Sequence, residues 1–187
     1  MTLTHDEMRA ISCLGNASWD ESYLTQLLVC TAQGRLVIGN RFLLYATPCP
    51  FDLGSSMHTI PRVSGYIVDA LGAMMARPTD PIGIEIPDGL GEPDYTTVEN
   101  GPRFSVIFNL GHDHLGQTRF VRLSNWYLAI ARLLGVRRLV PIDPGQLDGA
   151  WTGVPVGRPG SLVIIMPMHP TPSNPHHAIE AESLCQA

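Results

Sequence analysis

Two apolar runs flank a turn dipeptide in Arg35-Leu-Val-Ile38, Gly39-Asn40 and Arg41-Phe-Leu-Leu-Tyr45, and this commits the region to antiparallel β structure. Glycine and asparagine tolerate the positive φ angles of a two-residue loop, so the pattern predicts a hairpin turning at 39–40. Pro48 and Pro50 break the run, and Pro61 closes the polar loop that follows. The chain has 187 residues, 44% of them hydrophobic and 16% charged, which is enough to bury one core and too apolar for a disordered chain.

Helical spacing accounts for most of the remainder. Met8, Ile11 and Leu14 predict a helix over 6–14, and Leu24, Leu27 and Leu28 predict another over 19–30. Residues 65–76 form a third, with Gly72 an unfavourable interior residue. The clearest is 124–134, where Ser124 is placed to cap the N-terminus. Trp126, Ile130, Leu133 and Leu134 make one stripe, and Gly135 ends it. Strands are expected at 103–108, 137–142 and 162–166, with a weaker edge at 82–86. Residues 87–100 read as loop, and 168–187, rich in Pro, His and Ser, as a loose tail. The order is α/β: a mixed sheet with helices packed on it, forming a single domain over 1–167.

All twelve basic residues are arginine, and the net charge is −5. An acidic chain without a basic run lacks the phosphate-neutralising surface that nucleic-acid binding needs. No apolar stretch reaches the ~18 residues of a membrane span, and the N-terminus carries no apolar signal core. Cys13, Cys30, Cys49 and Cys185 lie far apart, with no CxxC pair to indicate a zinc knuckle. The expected compartment is the cytoplasm.

Several short stretches, taken in order, resemble the LuxI-type acyl-homoserine-lactone synthases, the autoinducer synthases of quorum sensing. They are LLVCTAQGRLVIGNRFLLYATPCPFDL (27–53), with Pro48 seven residues after Arg41; VENGPRFSV (98–106); NWYLAIARLLGVRRLVPID (125–143); and GRPGSLVIIMPM (157–168). The resemblance spans residues 20–168 and implies a GNAT-like acyltransferase fold, a mixed twisted sheet with helices on both faces. The implied reaction joins an acyl group, carried on acyl carrier protein or coenzyme A, to S-adenosylmethionine. The amine attacks the thioester, and the methionine carboxylate then closes a lactone with loss of methylthioadenosine. S-adenosylmethionine is thus a substrate, and no tightly bound cofactor is implied.

That chemistry asks for a base near the amine, donors for the tetrahedral intermediate and a cation for the carboxylate. The resemblance assigns catalysis to Glu99 and Arg103 and substrate binding to Arg41, Trp19, Asp20 and Glu21. It places the acyl chain between sheet and helix against Phe104, Val106, Trp126 and Ile130. The family's base position itself falls on Asn100, with Glu99 one residue back, and Pro102 replaces the family's serine. The family's aromatic and aspartate positions in the N-terminal arm fall on Cys13, Ser18 and Glu21. An acidic carrier protein would dock on Arg122, Arg132, Arg137 and Arg138.

Plainer readings stand beside these. Trp19 is a core anchor, Glu99 an exposed loop carboxylate, and Asp20 and Glu21 residues that favour a helix N-terminus. The alternative function is a truncated, inactive relative acting as a binding protein. A third reading makes His112 and His114, on one side of a strand, ligands of a metal-dependent hydrolase, against a polar loop at 111–116.

Overall fold

The computed structural model describes residues 3–15, 27–49, 61–76, 82–90, 104–169 and 177–181. Over these residues it is a mixed α/β structure of three helices and two sheets. The chain runs α1 (His5–Gly15), β1 (Leu28–Ala32), β2 (Arg35–Gly39), β3 (Leu43–Pro48), α2 (Pro61–Ala76) and β4 (Ile84–Glu85). It continues through β5 (Phe104–His112), β6 (Thr118–Ser124), α3 (Asn125–Leu133), β7 (Arg138–Pro141), β8 (Trp151–Gly153), β9 (Leu162–Ile165) and β10 (His177–Glu180). One sheet has the order β1-β2-β3-β9-β8-β7-β4 and the other β10-β5-β6. Among the described residues every strand pair is antiparallel except β10 with β5.

Period-two alternation explains how the larger sheet carries helices on both faces. Leu43, Tyr45, Val163 and Ile165 point to one side, into a core shared with α1, α3 and the inner face of β5–β6. Ala46, Leu162 and Ile164 point to the other, where Val63, Ile67 and Ala70 of α2 cover them. The α/β class expected from the sequence is therefore the class observed.

The turns differ from expectation in an instructive way. The two-residue loop with positive φ is Gln33–Gly34, at 52° and 69°, joining β1 to β2. At the expected position, Asn40 Oδ1 accepts from the amides of Phe42 (2.9 Å) and Leu43 (3.0 Å), making a side-chain-closed turn one residue longer. Gly39 is needed there for room: a Cβ would stand 2.1 Å from the Leu43 carbonyl oxygen.

Residues 28–30, expected to end a helix, form β1 instead. Pairing along β2 decides the matter over the local leucine spacing. In α1 the buried face is Glu7, Ala10, Cys13 and Leu14, while Met8 is 53% exposed, so the helix is rotated from the face its apolar spacing indicates. Residues 177–180, expected within a loose tail, pair in register with Phe104–Ile107.

Candidate functional site

The described pocket lies where the two sheets approach each other. It has a volume of ≈ 430 Å³, within the range of small-molecule sites, and is lined by Ile82–Glu85, Phe108–Leu110 and Ala181. Consecutive residues of both strands contribute, as strand edges do and single faces do not. β4 is the last strand of its sheet and pairs only with β7 among the described residues. β10 ends at Glu180, opposite Ile107, so the β5 edge from Phe108 to Leu110 has no strand partner on that side among the described residues. The register of β5 with β6 also shifts between Asn109 and His112. Two strand edges and a bulge thus bound one slot, an arrangement that can hydrogen-bond an extended chain bearing amides.

Salt bridges and hydrogen bonds hold the β4 wall. Arg138 Nε stands 3.7 Å from Glu85 Oε1, the one carboxylate in the lining among the described residues, and Glu85 is largely exposed. The Ile86 amide donates to the Arg137 carbonyl at 2.8 Å. From α3, Arg132 reaches the Pro87 carbonyl and the Asp88 carboxylate, tying the turn after β4 to the helix.

The residues singled out from the sequence are distributed unevenly about this slot. Trp19, Asp20, Glu21, Glu99 and Arg103 lie outside the described residues. Phe104 opens β5. Val106, Trp126 and Ile130 are 0%, 1% and 0% exposed and pack in the core beneath α3, where no acyl chain has room beside them. Arg41 is exposed in the turn before β3. β3 and β4 are separated by β9, β8 and β7, so Arg41 stands roughly 19 Å from the slot in the plane of the sheet.

The four arginines expected to dock a carrier protein do not form one open patch. Arg132 and Arg138 are held by Asp88 and Glu85, Arg137 is exposed, and Arg122 is half-buried. His112 ends β5, while His114 lies in the turn that Asp113 closes by accepting from the Leu115 (2.8 Å) and Gln117 (2.9 Å) amides. The turn removes the shared strand face on which a metal pair was expected. No group of three metal-ligating side chains occurs among the described residues.

Sequence reasoning missed a second polar centre. Thr4 and Glu7 form a reciprocal cap on α1: the Thr4 amide donates to Glu7 Oε2 at 2.7 Å, and the Glu7 amide donates to Thr4 Oγ1 at 3.2 Å. Glu7 also accepts from the Tyr45 hydroxyl at 2.5 Å and pairs with Arg158. Ser161 donates to Thr47 alongside at 3.0 Å. Burial pushes the Glu7 carboxyl up, but the bonds from Thr4 and Tyr45 and the Arg158 charge outweigh it and hold the group below 4.5. Burial, then the Glu7 hydrogen bond, pushes the Tyr45 phenol up. The signal in the sequence was the Thr-x-x-Glu spacing. Nearby, burial pushes Tyr127 up to about 12 against the hydrogen bond it accepts from Asn40 Nδ2 at 3.1 Å.

Among the described residues no helix is long and apolar enough to cross a membrane. No protein-family model, curated protein or solved structure matches the chain.

Proposed function

We propose that the chain is a cytoplasmic acyltransferase of the acyl-homoserine-lactone-synthase kind, with the slot between β4 and β5 receiving the acyl donor. The observation that carries this reading is the pair of strand edges facing one pocket of ≈ 430 Å³. A thioester on acyl carrier protein or coenzyme A arrives on a pantetheine arm, an extended chain with two amides. Strand edges offer such a chain N–H and C=O partners, and Ile84, Phe108 and Leu110 offer apolar contact. The order of hairpin, strand, helix and strand along the resembling stretches supports the same reading, as do helices on both faces of the larger sheet. The GNAT-like fold, Glu99 as base, Arg103 as partner of the S-adenosylmethionine carboxylate and acyl-lactone signalling as the biological role rest on the resemblance.

One observation favours a second reading, a protein that binds the thioester without turning it over. Glu85, the only carboxylate in the lining among the described residues, is engaged with Arg138. Incubation with S-adenosylmethionine and acyl thioesters of both carriers separates the two. Methylthioadenosine release with an acyl lactone product is the expected result. Thioester binding without release assigns the slot to a binding protein, and absence of both overturns the site.

A further inference from the structure

We infer that the junction of β6 and α3 is an anion-binding site that takes the phosphate group of a small ligand, independently of the acyltransferase reading. On β6, Val121 and Leu123 point into the core, so Arg122 and Ser124 share the opposite face. Ser124 is 0% exposed, and its Oγ has no hydrogen-bond partner. Arg122 Nε is likewise buried without a partner, and the guanidinium enters no ion pair among the described residues. Folding leaves such groups unsatisfied only at a cost, and the two lie on one strand face, two residues apart.

The backbone adds a third contribution. β6 runs into α3 with no intervening loop, and Ser124 is the N-cap, with φ −63° and ψ 128°. A serine in that position ordinarily spends its hydroxyl on a first-turn amide, but here that bond is not made. The hydroxyl and the guanidinium therefore lie on one strand face within two residues of the positive end of a nine-residue helix. A planar guanidinium fork beside a hydroxyl and a helix N-terminus suits a compact tetrahedral oxyanion. The same face opens to solvent toward Asn109 and Phe120, the latter 58% exposed, which gives a ligand a way in. Glu180 shares that face, but Ile107 separates it from Arg122 by two strand spacings, roughly 10 Å.

The test is thermal unfolding of the full chain in inorganic phosphate, in a nucleoside monophosphate and in sodium chloride, all at one ionic strength. A saturable rise in Tm with phosphate or the monophosphate, absent in chloride, is expected. Tighter binding of the monophosphate identifies a phosphate ester as the source, and tighter inorganic phosphate identifies the free ion. Arg122→Gln should weaken the response by about tenfold or more. Ser124→Ala should weaken it by several fold while leaving the unliganded Tm equal or higher, because it removes an unpartnered buried hydroxyl. A wild-type response no larger than that to chloride, or one undiminished in Arg122→Gln, overturns the site.

Discussion

Two buried polar regions lie within this small fold, and they are built oppositely. At the start of α1, Glu7 gathers Thr4, Tyr45 and Arg158 around one carboxylate. At the start of α3, Ser124 and Arg122 present buried polar atoms with no partner. Both occupy helix N-termini, where the backbone favours negative charge. In the first the protein supplies the anion itself; in the second it does not. A helix N-terminus that already holds its own carboxylate is a structural clamp, and one that keeps its donors unspent is where a ligand's charge is accommodated.

The comparison breaks most sharply at Glu7. Glu7→Ala takes the carboxylate away from half-buried Arg158 and from the buried Tyr45 hydroxyl, and should cost about 3–5 kcal/mol in denaturant unfolding. Arg158→Ala should cost nearly as much, and the double variant less than the sum of the two, since both lose one interaction. Tyr45→Phe removes one bond to a charged acceptor and should cost about 1.5–3 kcal/mol.

The pH dependence follows from the direction of the Glu7 shift. Its folded pKa lies below its ordinary value, so its contribution is fully present above that value and is lost as pH falls through the folded pKa. The stability gap between wild type and Glu7→Gln should therefore be wide at neutral pH and narrow as pH falls below the ordinary carboxylate range. A gap that stays constant across that range would detach the clamp from the carboxylate's charge. The smallest effect sharpens the contrast from the other side: without ligand, Ser124→Ala should change stability by about 0.5 kcal/mol or less, or raise it.

What was legible in the sequence follows the same division between local and assembled structure. The helix over 124–134 was readable because its stripe, its cap residue and Gly135 all lie within it, and α3 occupies Asn125–Leu133. β5, β7 and β9 were readable from their β-branched runs. β8 has three residues, and β10 depends on a partner far away in sequence, so neither has a period of its own to detect. β6 alternates, with Val121 and Leu123 inward, but its arginines obscured the pattern. The rotation of α1 was hidden because a glutamate, not a leucine, anchors its buried face, and Arg158 joins it from 151 residues away. The slot was illegible for a related reason: it is made by where β4 and β10 stop, and endings of pairing are set by tertiary contacts. Trp126 and Ile130 had the right apolar character for an acyl wall, but that character is the same as that of core.

The central claim is that the β4–β5 slot receives the acyl donor, and amide chemical shifts during titration with an acyl-pantetheine thioester address it most directly. That probe lacks a phosphate and so leaves the β6–α3 junction out of the measurement. Saturable shifts concentrated at Ile82–Glu85 and Phe108–Leu110, weakened by Ala181→Leu, which adds bulk to the wall, are the predicted result. Shifts confined to other elements, or none at saturating thioester, would contradict it.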